Sequence, residues 1–100
     1  MKSIVNIESR LGRQQAKKTL AEVLQKNPHC ISLTKHCREQ MQKRNMIVGD
    51  LINVLHGGQI VCDPEFEHEE WRYRIETEKM VIVISFHKPA NVRCITAWRK

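Results

Sequence analysis

At Gly57-Gly58 the spacing of apolar side chains changes, and that change constrains the fold more than any other feature of the chain. Before the pair, apolar residues recur at helical intervals; after it, they alternate with a period of two. A chain that runs helices first and strands afterwards is expected to be α+β, with its helices packed on an antiparallel sheet. Its 100 residues suit a single domain spanning 1–100.

In the helical half, Ala16, Leu20, Val23 and Leu24 mark a helix between Ser9 and Asn27, ended by Asn27-Pro28. Gly12 costs about 1 kcal/mol relative to Ala in a helix interior, which favours a start beyond it. Thr34 is placed to N-cap a second helix through Arg44, with Leu33, Cys37 and Met41 turned inward and Asn45 suited to a left-handed cap. A third helix, Val48 to His56, carries Leu51, Ile52 and Leu55 on one side. Its first turn holds Asp50, where the helix dipole favours negative charge. The second and third helices are expected to form a hairpin. In the other half, Gln59–Cys62, Trp71–Thr77, Met80–Phe86 and Val92–Trp98 read as strands of a three- to four-stranded antiparallel meander. Met80–Phe86 is apolar on both faces, as a central strand should be, and the acidic stretch before Trp71 reads as a loop.

Seventeen Lys and Arg against eleven Asp and Glu give a net charge of +6, which points to an anionic partner. The excess is confined to residues 1–50, with ten basic and four acidic groups, while residues 51–100 carry seven of each. Five acids, Asp63, Glu65, Glu67, Glu69 and Glu70, fall within eight residues, so the molecule is expected to be electrically polar. The longest apolar run, Met80–Ile84, is five residues, against about 20 for a bilayer span, so no membrane association is expected. Met1-Lys2-Ser3-Ile4-Val5 lacks the apolar region of a secretory signal, and the expectation is a cytoplasmic protein. Cys30, Cys37, Cys62 and Cys94 form no Cys-x-x-Cys pair and read as free thiols.

Two segments, Leu33-Thr34-Lys35-His36-Cys37-Arg38-Glu39-Gln40-Met41-Gln42-Lys43-Arg44-Asn45-Met46 and Asp50-Leu51-Ile52-Asn53-Val54-Leu55-His56-Gly57-Gly58-Gln59-Ile60, carry a pattern. It is a helix with His, a later Arg before Asn, a short helix closing on Gly, and a strand. It continues through Trp71-Arg72-Tyr73-Arg74-Ile75, Val81-Ile82-Val83-Ile84 and Cys94-Ile95-Thr96-Ala97-Trp98. Over residues 31–99 this looks like a bacterial family of small domains classed as a domain of unknown function; residues 1–30 fall outside it. That family resembles the MqsR and RelE type toxins of toxin–antitoxin pairs, compact α+β ribonucleases that cut messenger RNA, usually on the ribosome, without a metal. The resemblance implies a RelE-like fold, RNA as substrate, a cognate antitoxin protein as partner, and no cofactor or metal. Ile47-Val48-Gly49 departs from the Ser or Asp cap and acidic residues that usually open the third helix.

Metal-independent RNA cleavage needs a base for the ribose 2′-hydroxyl, cations for the developing phosphorane charge, and an acid for the leaving oxygen. His36 is the candidate for proton transfer, with Gln40 and Arg44 on its face one and two turns later; the alternative is a structural histidine that bonds a neighbouring strand or caps a loop. Arg72 and Arg74, alternate residues of one strand, project from the same face about 7 Å apart, a spacing that brackets one phosphate. The alternative for them is an arginine ladder pairing with Glu76, Glu78 or the acidic stretch. Arg93 or Arg99 of the last strand could join them. Arg10, Arg13 and Lys17, with Lys18 beside them, form either a phosphate-facing stripe or a solvated helix face. Trp71 and Tyr73 face away from the arginines and read as core, Trp98 and Phe86 as core or cleft lining, and His29, His56, His68 and His87 as solvated residues at element ends. The pairs His29-Cys30 and His36-Cys37 have the wrong spacing for a zinc knuckle. Two functions from different classes follow: a toxin-like RNA-binding domain acting as an endoribonuclease, and a non-catalytic module that binds a protein or nucleic acid through its polarised surface.

Overall fold

The computed structural model describes residues 7–26, 29–88 and 90–100. The break expected at Asn27-Pro28 lies outside these residues. Three helices, α1 (Arg13–Lys26), α2 (Lys35–Lys43) and α3 (Val48–Gly57), accompany six strands: β1 (Ile31–Leu33), β2 (Gln59–Ile60), β3 (Glu65–Glu67), β4 (Glu70–Glu76), β5 (Met80–His87) and β6 (Asn91–Arg99). The fold is α+β. The sheet has the order β1-β6-β5-β4-β2, with β3 also on β4.

Two strands enlarge the expected meander and make it mixed. β1 pairs with β6 in parallel, Ile31 opposite Val92 and Leu33 opposite Cys94. Three residues are too few to show a period, and their partner lies far along the chain. Leu33, expected within the second helix's apolar face, belongs to this strand instead. The other addition is in the acidic stretch: Glu65, Phe66 and Glu67 pair with Arg72, Trp71 and Glu70. The connecting residues His68 and Glu69 both have positive φ, 50° and 63°, as a two-residue hairpin of the primed kind requires. Such turns usually advertise themselves as Asn-Gly, and this one does not.

α1 begins at Arg13, just past Gly12. Thr34 caps α2 as its sequence position suggests: its hydroxyl oxygen accepts from Cys37 N–H at 3.0 Å and its O–H donates to the Ile95 carbonyl at 2.8 Å. One side chain thus starts a helix and ties it to the sheet. Asn45 takes a φ of 53°, closing α2 in the left-handed region. Ile47 offers α3 no capping oxygen, but the Asp50 carboxylate reaches back to the Ile47 N–H at 2.9 Å. α2 rests on β6 and α3 on β5 and β4, so each of these helices takes the sheet as its main support.

One continuous core joins Ala16, Leu20, Cys37, Met41, Leu51 and Leu55 of the helices to Tyr73, Ile75, Ile82, Ile84, Cys94 and Ala97 of the strands. The strand members alternate along β4 and β5, so all three helices cover the same face. Tyr73 pins the segment before α1 to this core, accepting from Leu11 N–H at 2.9 Å and donating to the Ser9 carbonyl at 3.4 Å. All four cysteines are free thiols. Burial pushes the thiol of Cys37 up to about 11 and that of Cys94 up to about 12, the latter helped by the neighbouring Cys37 and Cys30 thiols. Among the described residues no helix is long and apolar enough to cross a membrane.

Candidate functional site

The face of the sheet away from the helices carries the residues that alternate with the core, most of them polar. On β4 these are Arg72, Arg74 and Glu76; on β5, Val81, Val83, Ser85 and His87. The third strand, β6, would put Arg93, Ile95 and Ala97 on one side if its alternation ran unbroken. It does not: Thr96 stands opposite Val83 and Cys94 opposite Ile84, which leaves Ile95 as a bulged residue. The bulge brings Arg93, Thr96 and Trp98 to the polar face together and turns Ala97 into the core. Rows across the face follow from the register: Arg74, Val83 and Thr96; then Glu76, Val81 and Trp98; and Ser85 beside Arg93.

A cleft of about 280 Å³ opens here, floored by Arg72, Arg74, Thr96 and Trp98 and walled by Glu65 and Glu67 of β3. The Arg74 guanidinium lies over the Trp98 ring at 5.2 Å and pairs with Glu76 at 2.7 Å. Arg72 is held from two sides, its Nη1 3.2 Å from Glu67 and its Nη2 3.0 Å from Glu70. Glu70 is the hub of the face, with a second oxygen 3.0 Å from His87 Nε2 and 3.7 Å from Arg93 Nη1. Burial works against the Glu70 carboxylate, but hydrogen bonds from Ser85, Arg72 and His87 outweigh it and hold the group below the usual carboxylate range. Glu70 is therefore an anion at neutral pH and can only accept, so His87 Nε2 carries a proton and donates it. Ser85 is fully buried, its Oγ 2.9 Å from the same Nε2.

Arg72 and Arg74 thus share one cleft, as their alternation implies, while Arg93 lies outside it and meets Arg72 only through their common partner Glu70. His36 stands exposed in the first turn of α2, on the helical side of the sheet, and does not line this cleft. The other basic candidates are engaged elsewhere. Arg13 pairs with Asp63 at 3.0 Å, and Arg10 reaches the same carboxylate at 4.0 Å while lying 5.7 Å over the Trp71 ring. Lys17 donates to the carbonyls of His56 and Gly58, closing the C-terminal end of α3 where the helix dipole favours a cation. Lys18 is exposed beside Lys17 and Arg13 on a shallow groove against Gln59 and Ile60. Arg99 serves α2 as Lys17 serves α3: it donates to the carbonyls of Arg44 at 2.8 Å and Asn45 at 3.0 Å, while the Arg44 side chain is exposed.

Sequence reasoning passed over Glu70, Ser85 and His87. Their signal was present, since Ser85 and His87 alternate with core residues Ile84 and Phe86, and Glu70 stands two residues before Arg72. Among the described residues no group of three His, Cys, Asp or Glu side chains is arranged to hold a metal ion.

The family of small domains named Domain of unknown function (DUF4258) matches residues 33–99, about two-thirds of the chain. The chain belongs to the DUF4258 family. No curated protein and no solved structure matches it. The DUF4258 match takes in α2, α3 and β2 to β6, and so every residue of the polar cleft, while α1 and most of β1 precede it.

Proposed function

We propose that this DUF4258 domain is a toxin-like RNA-binding protein that cleaves messenger RNA without a metal, ribosome-bound RNA included, and that a cognate antitoxin protein restrains it. The observation that carries the proposal is the helix-free face of the sheet, where Arg72 and Arg74 line one cleft with the Trp98 ring and Arg93 stands farther along the same face against Glu70. Guanidinium forks suit the phosphate backbone and the aromatic surface suits a base, the combination that single-stranded nucleic acid demands. In this reading the 2′-hydroxyl attacks the adjacent phosphorus and the arginines stabilise the charge that builds on the phosphoryl oxygens.

A second reading is favoured by a specific observation: Glu67, Glu70 and Glu76 already pair with Arg72 and Arg74. Under it the face is a charge-polar docking surface for a protein or nucleic-acid partner and does no chemistry. The deciding experiment is incubation of an end-labelled messenger RNA with the wild-type protein, with and without ribosomes and with and without chelator, beside Arg72→Ala and Arg74→Ala. Chelator-resistant cutting that both variants lose supports the nuclease. Absence of cutting under every condition refutes it.

A further inference from the structure

The geometry points to His87, held by Glu70, as the group that moves the proton in RNA cleavage at this face. The inference rests on the nuclease reading and adds to it a residue that the DUF4258 match does not single out.

Cleavage by a neighbouring hydroxyl needs a basic atom beside the phosphate-binding cations, fixed in direction and open to the substrate. His87 meets them through Glu70: it lines a separate hollow with Glu8, Glu69 and Trp71, next to the cleft of Arg72 and Arg74, and the shared carboxylate joins the two. It lies on β5 one alternation beyond Ser85, whose neighbour across to β6 is Arg93. Its side chain is about one-third exposed (34%), while Glu70 beneath it is 10% exposed, so the imidazole is anchored at one end and open at the other. Because the ionised Glu70 accepts from Nε2–H, the neutral ring carries its free lone pair on Nδ1. Glu70 also draws Arg72 at 3.0 Å and Arg93 at 3.7 Å to the same spot, so the two guanidiniums and the imidazole converge through one carboxylate. The charged group facing Nδ1 is Glu8 at 3.8 Å, itself tied to the Lys88 N–H at 3.2 Å. At that distance nothing fits between carboxylate and ring, so a ribose hydroxyl reaches Nδ1 by displacing Glu8.

The step balances as follows. Nδ1 takes the 2′-hydroxyl proton while the 2′ oxygen forms a bond to phosphorus and the bond from phosphorus to the 5′ oxygen breaks. The leaving oxygen takes a proton from water, and the imidazolium returns its proton to the hydroxide so formed. The products are a 2′,3′-cyclic phosphate and a 5′-hydroxyl end. Glu70 touches no reacting atom in this scheme; it is a positioning residue that fixes the tautomer and the ring plane.

The test is cleavage of an end-labelled messenger RNA by the full chain, comparing wild type, His87→Ala, His87→Gln and a control at a remote exposed histidine, His56→Ala. Thermal melts confirm that the variants are folded. Wild type and His56→Ala should cut alike, and both His87 variants should lose about 10²-fold or more, the usual range for a lost general base. Added imidazole should restore cutting to His87→Ala, whose cavity admits it, and not to His87→Gln. Glu70→Gln, which keeps an acceptor for Nε2–H, should retain more rate than Glu70→Ala. RNA ends lacking a 2′,3′-cyclic phosphate, or a folded His87→Ala that cuts at the wild-type rate, would overturn the assignment while leaving the nuclease intact. A wild type that never cuts would overturn the nuclease and His87 with it.

Discussion

Adjacent glycines at the junction of helix and sheet should respond to alanine in opposite directions. Gly58 is buried where α3 meets β4, and a Cβ placed on it would lie 2.6 Å from the Val54 carbonyl oxygen, 2.7 Å from Ile75 Cγ2 and 3.0 Å from the Glu76 carbonyl oxygen. Two of the three obstacles are backbone, one fixed within α3 and the other in β4, and the third belongs to a fully buried side chain. Relief requires helix and strand to separate. Overpacking of this kind costs about 1–3 kcal/mol, and the immobility of the neighbours places Gly58→Ala toward the upper end. The narrowing of the unfolded ensemble by alanine returns about 0.4–1 kcal/mol, for a net loss of about 2 kcal/mol. Gly57 differs in every respect: nothing lies within 4 Å of its Cβ direction, it is the last residue of α3, and its φ is not positive. Gly57→Ala should therefore gain about 0.5–1 kcal/mol. At about 4–8 °C per kcal/mol for a domain of this size, thermal melts should show Gly58→Ala lower by roughly 8–16 °C and Gly57→Ala higher by a few degrees. Urea unfolding with unchanged slopes would confirm that the native state is the one affected. Shifts of the same sign, or a Gly58→Ala within about 0.5 kcal/mol of wild type, would refute the packing argument.

Other consequences are open to equally direct measurement. Tyr73→Phe removes the acceptor of the buried Leu11 N–H and should cost about 1–3 kcal/mol in urea unfolding; a loss below about 0.5 kcal/mol would mean that water replaces the hydroxyl. The lowered carboxyl of Glu70 contributes stability that is fully present above the ordinary glutamate range and is lost as pH falls through its folded value. The difference in melting temperature between wild type and Glu70→Gln should accordingly shrink on going from pH 7 to pH 3. Ellman's reagent should label Cys62 alone in the native protein and all four thiols in denaturant, since Cys30, Cys37 and Cys94 are buried and raised. Neutralising the acidic stretch with Asp63→Asn and Glu67→Gln frees Arg13 and removes one of the two partners of Arg72, and should raise RNA affinity and steepen its salt dependence; unchanged binding would place the RNA elsewhere.

The parts of this molecule that were legible in its sequence are those decided by neighbours along the chain. The period change gave the α+β class, Thr34 and Asn45 are local capping choices, and alternation on β4 put Arg72 and Arg74 on one face. What escaped depends on partners distant in sequence. A three-residue strand such as β1 has no pattern of its own, and β3 hides behind a turn built from His68 and Glu69. The bulge at Ile95 shows no sign in the composition of β6, yet it decides that Thr96 and Trp98 join Arg93. Lys17 and Arg99 look like phosphate ligands because a cation's partner cannot be read from the cation; here the partners are helix-end carbonyls. His87 resembled a solvated residue at a strand end until Glu70 was found beneath it.

The parallel pairing of β1 with β6 sets an order of events in folding. The hairpins β4–β5 and β5–β6 close over a few residues and can form early, whereas Ile31 meets Val92 only after a loop of about sixty residues has been drawn shut. α2, which rests on β6, has no seat until that strand is in place. Nucleation should therefore begin in the hairpins, with the β1–β6 contacts forming late, after the rate-limiting step. Mutations at the β1–β6 seam should speed unfolding far more than they slow refolding.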